Sequence, residues 1–264
     1  MELIKKLREM TGAGMVDCQK ALVEAANDLD KAVEILRKKG IAKAAKRTDR
    51  ETNEGVVKVA VNSDNTEAYI LEVNSETDFV SRNEKFQALS DAILDVIKNN
   101  KPADLESLLS LPMDSGSVKE NLDNLSGTIG EKMDIKRFSV LTGASVAAYS
   151  HLGGRMGVLV ALDQSEKSDL AADIAMQVAA ANPKYLVPAD VDPAEMAKEK
   201  EIYKEQLLKE GKPEAMVDKI VEGKMGKYYS EVCLVEQEYI KDDKKKVKDI
   251  LGGAQVLQFI RYSL

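Results

Sequence analysis

The chain has 264 residues and a formal net charge of −7, a length that can bury a substantial core and that predicts two or three domains. The acidic balance argues against a broad surface for nucleic-acid phosphates, and no apolar run approaches the roughly 20 residues of a membrane-spanning helix. Because Cys18 and Cys233 belong to no disulfide or metal-binding motif, we expect a soluble cytoplasmic protein with reduced thiols and no structural metal.

The first 41 residues are predicted to form a compact domain of three short helices. Apolar residues recur there at helical spacing in three groups: Leu3, Ile4 and Leu7; Cys18, Ala21, Leu22 and Ala25; Ala32, Val33, Ile35 and Leu36. Asp17 and either Asp28 or Asp30 are candidate N-caps of the second and third helices, and Gly40 is the predicted helix stop. The charged residues 42–54 predict a linker whose basic side chains are solvated.

Residues 55–142 are predicted to form the first core subdomain, which begins with a hairpin that leads into a helix. Residues 57–61 alternate like a strand, residues 62–65 favour a turn, and residues 68–73 supply a second strand. Residues 81–84 have capping-box spacing before a periodic helical pattern: Phe86, Leu89, Ile93, Val96 and Ile97. A polar helical region at 118–133 and a strand at 134–141 complete the subdomain.

The same order of elements returns in a second core subdomain, predicted at 143–182 and 231–264. Its expected strands are 146–150, 156–162, 231–239 and 255–262, and its helix carries Leu170, Ile174 and Val178 in register. The repetition predicts an α+β fold made of two related subdomains, each a small antiparallel sheet backed by helices.

An insertion at 183–230 is predicted to form a helical hairpin over residues 193–229. Asp192 and Pro193 indicate a helix start, and Gly211 to Pro213 separate two helices. Three apolar residues of the first helix can face three of the second, as in an antiparallel coiled coil: Met196, Tyr203 and Leu207 with Met216, Ile220 and Met225. Such an arm could bind a partner or a second copy, and the alternative is a helical pair docked on the core.

The junction Thr77-Asp78-Phe79-Val80 is the strongest candidate for a binding site. The chain has 4 Phe and no Trp, so an aromatic residue where a strand runs into a helix suggests a wedge directed at another protein. The alternative is that Phe79 folds back into its own core, since large apolar side chains are mostly buried.

Catalytic chemistry is weakly indicated. His151 is the only histidine, and a hydrolase or transferase would have to combine it with Cys18 or Cys233, a pairing that the sequence does not fix. Gly153 and Gly154 lack the spacing of a phosphate-binding loop and favour a hairpin turn. The scattered carboxylates favour solvated helix faces over a metal cage.

Three segments in order carry a resemblance to a known family. They read LREMTGAGMVDCQKAL at 7–22, EVNSETDFV at 72–80 and HLGGRMGVLV at 151–160. With them, the whole chain resembles the bacterial-type translation elongation factor Ts family, the nucleotide exchange factors of elongation factor Tu. The resemblance implies a ubiquitin-associated (UBA)-like three-helix domain, a two-part α+β core and a coiled-coil insertion.

The resemblance also implies a function by binding, without covalent chemistry and without a cofactor or metal of the chain's own. GDP, GTP and magnesium would be bound by elongation factor Tu, and a homodimer could form through the coiled-coil insertion; no membrane and no direct nucleic-acid contact is expected. The residues implied to contact elongation factor Tu lie at three places: Thr77, Asp78, Phe79 and Val80; His151, Gly153 and Arg155; Met15 and Val16. The first group would intrude near the magnesium site of the GTPase.

Two features depart from the family pattern. Val16 stands where many members have a second methionine, which keeps the apolar character of the corner. Many members continue beyond the last strand into a short helix that contacts the partner, whereas the sequence here ends at Leu264, so no contact is assigned to that segment. A competing hypothesis keeps residues 1–41 as a UBA-like adaptor attached to an unrelated core without exchange activity.

Overall fold

The computed structural model describes residues 1–45, 47, 49–114 and 116–264, and of residues 41 and 43–45 it describes the backbone only. Lys46 and Thr48 of the expected linker therefore lie outside the described residues. The helices in the described part of the chain are α1 (Glu2–Thr11), α2 (Met15–Glu24), α3 (Leu29–Ala45), α4 (Asp78–Ser81), α5 (Glu84–Asn100), α6 (Leu105–Ser110), α7 (Val118–Ile129), α8 (Ser168–Ala181), α9 (Pro193–Lys209), α10 (Glu214–Val232) and α11 (Val247–Ile250), with single 3₁₀ turns at Pro188–Asp190 and Leu234–Glu236.

The described strands are mostly those that the sequence predicts. They are β1 (Glu54–Val61), β2 (Glu67–Ser75), β3 (Pro112–Met113), β4 (Gly116–Ser117), β5 (Met133–Thr142), β6 (Ser145–His151), β7 (Met156–Leu162), β8 (Glu238–Tyr239), β9 (Asp242–Lys246) and β10 (Val256–Ser263). The mixture of helices and small antiparallel sheets confirms the α+β class. Within the described residues, no helix combines the length and the apolar character needed to cross a bilayer.

The N-terminal helices α1–α3 bury a small core of their own, made of Leu7, Cys18, Ala21, Leu22, Ala25 and Ala32. Asp28 caps α3, because its Oδ1 accepts a hydrogen bond from the Lys31 amide at 3.1 Å. The expectation that Asp17 caps α2 is wrong: Gly14 is the N-cap and Asp17 lies in the first turn.

The predicted helix stop at Gly40 is also wrong, since α3 continues to Ala45. Gly40 lies against Gly127 of α7, and a Cβ atom on Gly127 would collide with the Gly40 backbone. The missing side chains thus allow two helix backbones to meet, and this contact rather than a left-handed cap explains the glycine.

In the described part of the expected linker, Arg50 has an exposed side chain, as predicted for a solvated face, whereas Arg47 is half-buried. Both arginines also bond to the core. Arg47 donates from Nη1 to the carbonyl oxygen of Ser126 at 2.9 Å. Arg50 donates to the Glu76 carboxylate at 3.1 Å. Arg47 and Arg50 are therefore both bonded to the first subdomain.

The first sheet has the order β1-β2-β5 with antiparallel neighbours. One face is covered by α5, α6 and α7, whose apolar side chains join those of the strands in a core that contains Tyr69, Phe86 and Ile93. The expected capping box at 81–84 is wrong: Ser81 closes the short helix α4, and Asn83 caps α5 by accepting from the Lys85 amide at 2.9 Å.

The second sheet has the order β10-β7-β6, and α8 packs on its outer face. The inner faces of the two sheets meet in a common apolar layer: Val57, Ala68, Ile70 and Leu141 from the first sheet, and Val146, Leu159, Ala161 and Tyr262 from the second. The core is therefore four layers deep, in the order helices, sheet, sheet, helices.

Helices α9 and α10 form an antiparallel pair whose buried side chains come from the pair and from the segments that lead into and out of it: Val191, Leu207, Val217, Val221, Met225, Tyr228 and Cys233. Met216, expected in the seam, is 55% exposed.

The Glu195 carboxylate accepts hydrogen bonds from Lys184, Tyr185 and Tyr228 at 2.5, 2.7 and 2.7 Å. These bonds lower the pKa of Glu195 to about 2, with the Lys184 bond as the largest cause.

The predicted strand at 231–239 is mostly wrong. Helix α10 continues to Val232 because Tyr228 and Cys233 are buried in the helix pair, which favours another turn over extended chain. Cys233 forms an isolated parallel bridge with Tyr185. A 3₁₀ turn follows, and the paired strand within the predicted range is Glu238–Tyr239, which pairs with Asp242–Lys246. The UBA-like character of α1–α3 and the coiled-coil character of α9 and α10 stay predictions.

Candidate partner-binding surface

The first part of the candidate surface is the Phe79 corner, defined as residues 75–81, where β2 turns into α4. Phe79 is 84% exposed, whereas its neighbour Val80 is 6% exposed and packs into the first core. The alternative in which Phe79 folds into its own core is therefore wrong. Successive residues of a helix point about 100° apart, so α4 can turn Val80 and Ser81 toward the core while Phe79 faces outward.

Two carboxylates hold the corner: Glu131, which is distant from it in sequence, and Glu76, which belongs to it. Glu131, in the turn between α7 and β5, accepts from the Thr77 amide at 3.1 Å and from the Thr77 hydroxyl at 2.8 Å. Glu76 accepts from the Lys132 amide at 2.6 Å and from Arg50 at 3.1 Å. The bond from the Lys132 amide is the main reason why the pKa of Glu76 lies below its ordinary value.

Asp78 is the first residue of α4 and is partly exposed beside Phe79. Its carboxylate pairs with Arg82 one turn later, with an Oδ2 to Nη2 distance of 3.1 Å. Thr77 is the N-cap, but its hydroxyl donates to Glu131 and makes no capping bond within α4. The corner thus presents one carboxylate and one phenyl ring next to each other.

The second part is the β6–β7 turn, defined as residues 151–155. Leu152, Gly153 and Gly154 all have positive φ angles, of 51°, 67° and 89°. A Cβ atom on Gly154 would lie 2.8 Å from a methyl group of Val56. The Gly154 carbonyl accepts from the Val57 amide at 2.6 Å, so the absence of a side chain lets the turn reach the first sheet.

The side chains of His151 and Arg155 were expected in the site, and that of Leu152 was missed. Arg155 donates to Glu54 at 2.8 Å, and Glu54 is paired with Ser75 in the β1–β2 register. The turn and the Phe79 corner therefore lie at the same end of the first sheet. Leu152 is 67% exposed in a left-handed conformation, a combination that the sequence alone does not reveal.

His151 is exposed and interacts with Tyr149, through its Nδ1 at 2.9 Å from the hydroxyl and through ring stacking at 5.7 Å. Cys18 donates to the Ala13 carbonyl at 3.5 Å inside the N-terminal helices. Cys233 is buried, and burial raises the pKa of its thiol to about 11. The structure thus brings neither thiol to His151, and Cys233 is kept in the protonated, unreactive form.

The third part is the start of α2, where Met15 and Val16 are 54% and 62% exposed. The loop before α2 leans on the core, because Gly12 lies against the side chains of Lys85 in α5 and Thr128 in α7. Lys85 lies in the first turn of α5, the helix that follows the Phe79 corner in the chain. The fold therefore places the start of α2 next to the same region of the core.

A comparison with known protein families was informative for the second and larger part of the chain. The family model described as "Elongation factor TS" matches residues 76–264. This range contains most of the Phe79 corner and the whole β6–β7 turn, and it begins after Met15 and Val16.

Proposed function

Because the chain belongs to the elongation factor TS family of translation elongation factors, we propose that it binds elongation factor Tu in the GDP form and promotes GDP release. In this role the chain makes and breaks no covalent bond. GDP, GTP and magnesium are bound by the GTPase and not by this chain, and the proposed setting is the cytoplasm.

The observation that carries the proposal is the exposure of Phe79, which is 84% in the free chain. Moving a phenyl side chain from water into an apolar site contributes about 1.5–3 kcal/mol. Exposed aromatic residues that a partner can bury are typical anchors of protein interfaces. Glu131 and Glu76 hold the backbone beneath this side chain, so little ordering is required when a partner binds.

The proposed mechanism follows from how GTPases hold GDP. Backbone N–H groups of the phosphate loop and a magnesium ion bind the phosphates, and an exchange factor has to weaken both contacts. Phe79 would insert between helices of the GTPase and shift one of them, since packed elements move between discrete arrangements. Asp78 would place a carboxylate beside the magnesium region, where it disturbs the charge balance.

The other residues have supporting roles in this proposal. The exposed side chains of the β6–β7 turn, with His151, Gly153 and Arg155, would contact the GTPase beside the Phe79 corner. Met15 and Val16 would hold a separate part of it, because flexible methionine suits apolar contact with a partner. Val80, buried in the free chain, would anchor the corner from inside.

Stimulated release of a fluorescent GDP analogue from elongation factor Tu tests the proposal. The labelled complex is mixed with excess unlabelled GDP and with substoichiometric amounts of this chain. Turnover of many complexes per chain is expected for an exchange factor. A release rate equal to that without the chain would favour the adaptor hypothesis, in which binding occurs without exchange.

We also propose that α9 and α10 form a coiled-coil arm through which two copies associate. Leu208 and Met216, on either side of the turn between the helices, are 42% and 55% exposed and offer apolar surface. Sedimentation velocity over a range of concentrations measures this association directly. A single monomeric species at every concentration would count against it.

A further inference from the structure

Thr77 stands directly before Asp78 and Phe79, and it is held by a residue from a distant part of the chain. Glu131 accepts both from its amide and from its hydroxyl, at 3.1 and 2.8 Å. Hydrogen bonds to an ionised carboxylate are stronger than those between neutral groups, and two on one residue fix its orientation. The residue after Glu131 bonds the corner as well, because the Lys132 amide donates to Glu76 at 2.6 Å.

The turn that carries Glu131 is itself anchored to the end of α7. Gly130, with a φ angle of 98°, ends the helix and donates its amide to the Ser126 carbonyl at 2.9 Å. The buried Ser126 hydroxyl donates to the Glu131 carbonyl at 2.6 Å. The carboxylate is thus presented from a constrained backbone, which makes it suited to hold the corner in one conformation.

We propose that Glu131 is a positioning residue for nucleotide exchange, which acts by orienting the Phe79 corner before the GTPase binds. This inference rests on the proposed function. Without Glu131, Thr77 loses two hydrogen bonds and the one-turn helix has to be ordered during binding, which lowers the rate at which productive complexes form. Glu131 thus affects GDP release only through the orientation of Phe79, because its carboxylate is bonded to Thr77 of the corner.

The test compares stimulated GDP release by Glu131→Ala, Glu131→Gln and Thr77→Val with wild type. We expect Glu131→Ala to reduce release about tenfold, as for the loss of charged hydrogen bonds. Thr77→Val, which removes the hydroxyl bond only, should give a smaller loss, and Glu131→Gln should restore part of the rate. Asp123→Asn is the matched control, because the Asp123 carboxylate lies on α7 but pairs with Lys119. This variant should stimulate GDP release at the wild-type rate.

A double-mutant cycle separates positioning from general support of the fold. In a Phe79→Ala background, Glu131→Ala should cause much less further loss than it does in wild type, because the side chain that it orients is gone. Thermal melting of each variant checks the fold. If Glu131→Ala fails to fold, Glu131→Gln and Thr77→Val replace it in the cycle.

The outcomes distinguish this inference from the proposed function. Wild-type release by the Glu131 and Thr77 variants, or losses that simply multiply with that of Phe79→Ala, would overturn the positioning role. Absence of stimulated release by the wild-type chain would instead refute the exchange function itself.

Discussion

Replacement of Phe79 by alanine should impair nucleotide exchange without weakening the fold. The side chain is 84% exposed, and substitutions at such positions usually change the free energy of unfolding by about 0.5 kcal/mol or less. Truncation of an aromatic interface anchor commonly costs about 2 kcal/mol or more in binding. At about 1.4 kcal/mol per factor of ten, stimulated GDP release should fall roughly thirtyfold at limiting concentrations.

Phe86 provides a matched control in the helix that follows. It is 0% exposed and lies in the core of the first subdomain. Phe86→Ala should therefore lower the free energy of unfolding by about 3–5 kcal/mol. Comparison of the two variants separates the role of a phenyl ring in partner binding from its role in core packing.

Both variants are measured by thermal unfolding and by stopped-flow release of fluorescent GDP from elongation factor Tu. The expected result is a normal melting temperature with slow release for Phe79→Ala, and a clearly lower melting temperature for Phe86→Ala. The reasoning is refuted if Phe79→Ala melts like wild type and also releases GDP at the wild-type rate.

Three further predictions concern other parts of the chain. Gly127→Ala should destabilise the contact between α3 and α7 by about 1–3 kcal/mol, because a Cβ atom there meets the backbone of Gly40, and faster protease cleavage after α3 would report it. The low pKa of Glu195 means that its stabilising contribution is complete above the ordinary value of 4.5 and is lost as pH falls toward about 2. Glu195→Gln should therefore make the helix content, measured by circular dichroism, less dependent on pH between about 4.5 and about 2. An unchanged dependence would contradict the stabilising role of the Glu195 carboxylate. Replacement of residues 193–229 by a short Gly/Ser turn should leave a folded core with reduced exchange, whereas complete loss of exchange in a folded variant would place the arm in the GTPase contact.

The sequence pattern predicted correctly those elements whose conformation depends on residues within the element itself. Strand β7 agrees with the predicted residues 156–162, because its side chains are apolar on both faces and the strand is central in its sheet. The sequence left the position of Phe79 open between the surface and the core, and the structure decides it, because Val80 fills the core position and Phe79 is exposed.

The errors occur where distant residues decide the local structure. Gly40 looks like a helix stop until Gly127 is brought against it from the other side of the linker. Residues 231 and 232 look extended, but the buried Tyr228 and Cys233 keep them helical. Glu131 could not be assigned to the site because its bond to Thr77 spans 54 residues, and no periodicity records such a pairing.

The hydrogen bond between Val57 and Gly154 joins an edge strand of the first sheet to a turn of the second. Together with the shared apolar layer between the sheets, it ties the two subdomains to each other. The Phe79 corner and the β6–β7 turn therefore lie on one packed core that both sheets share. If the GTPase binds both parts, as proposed, it meets a core whose two halves are tied together, and we expect the change of shape in the complex to occur in the GTPase.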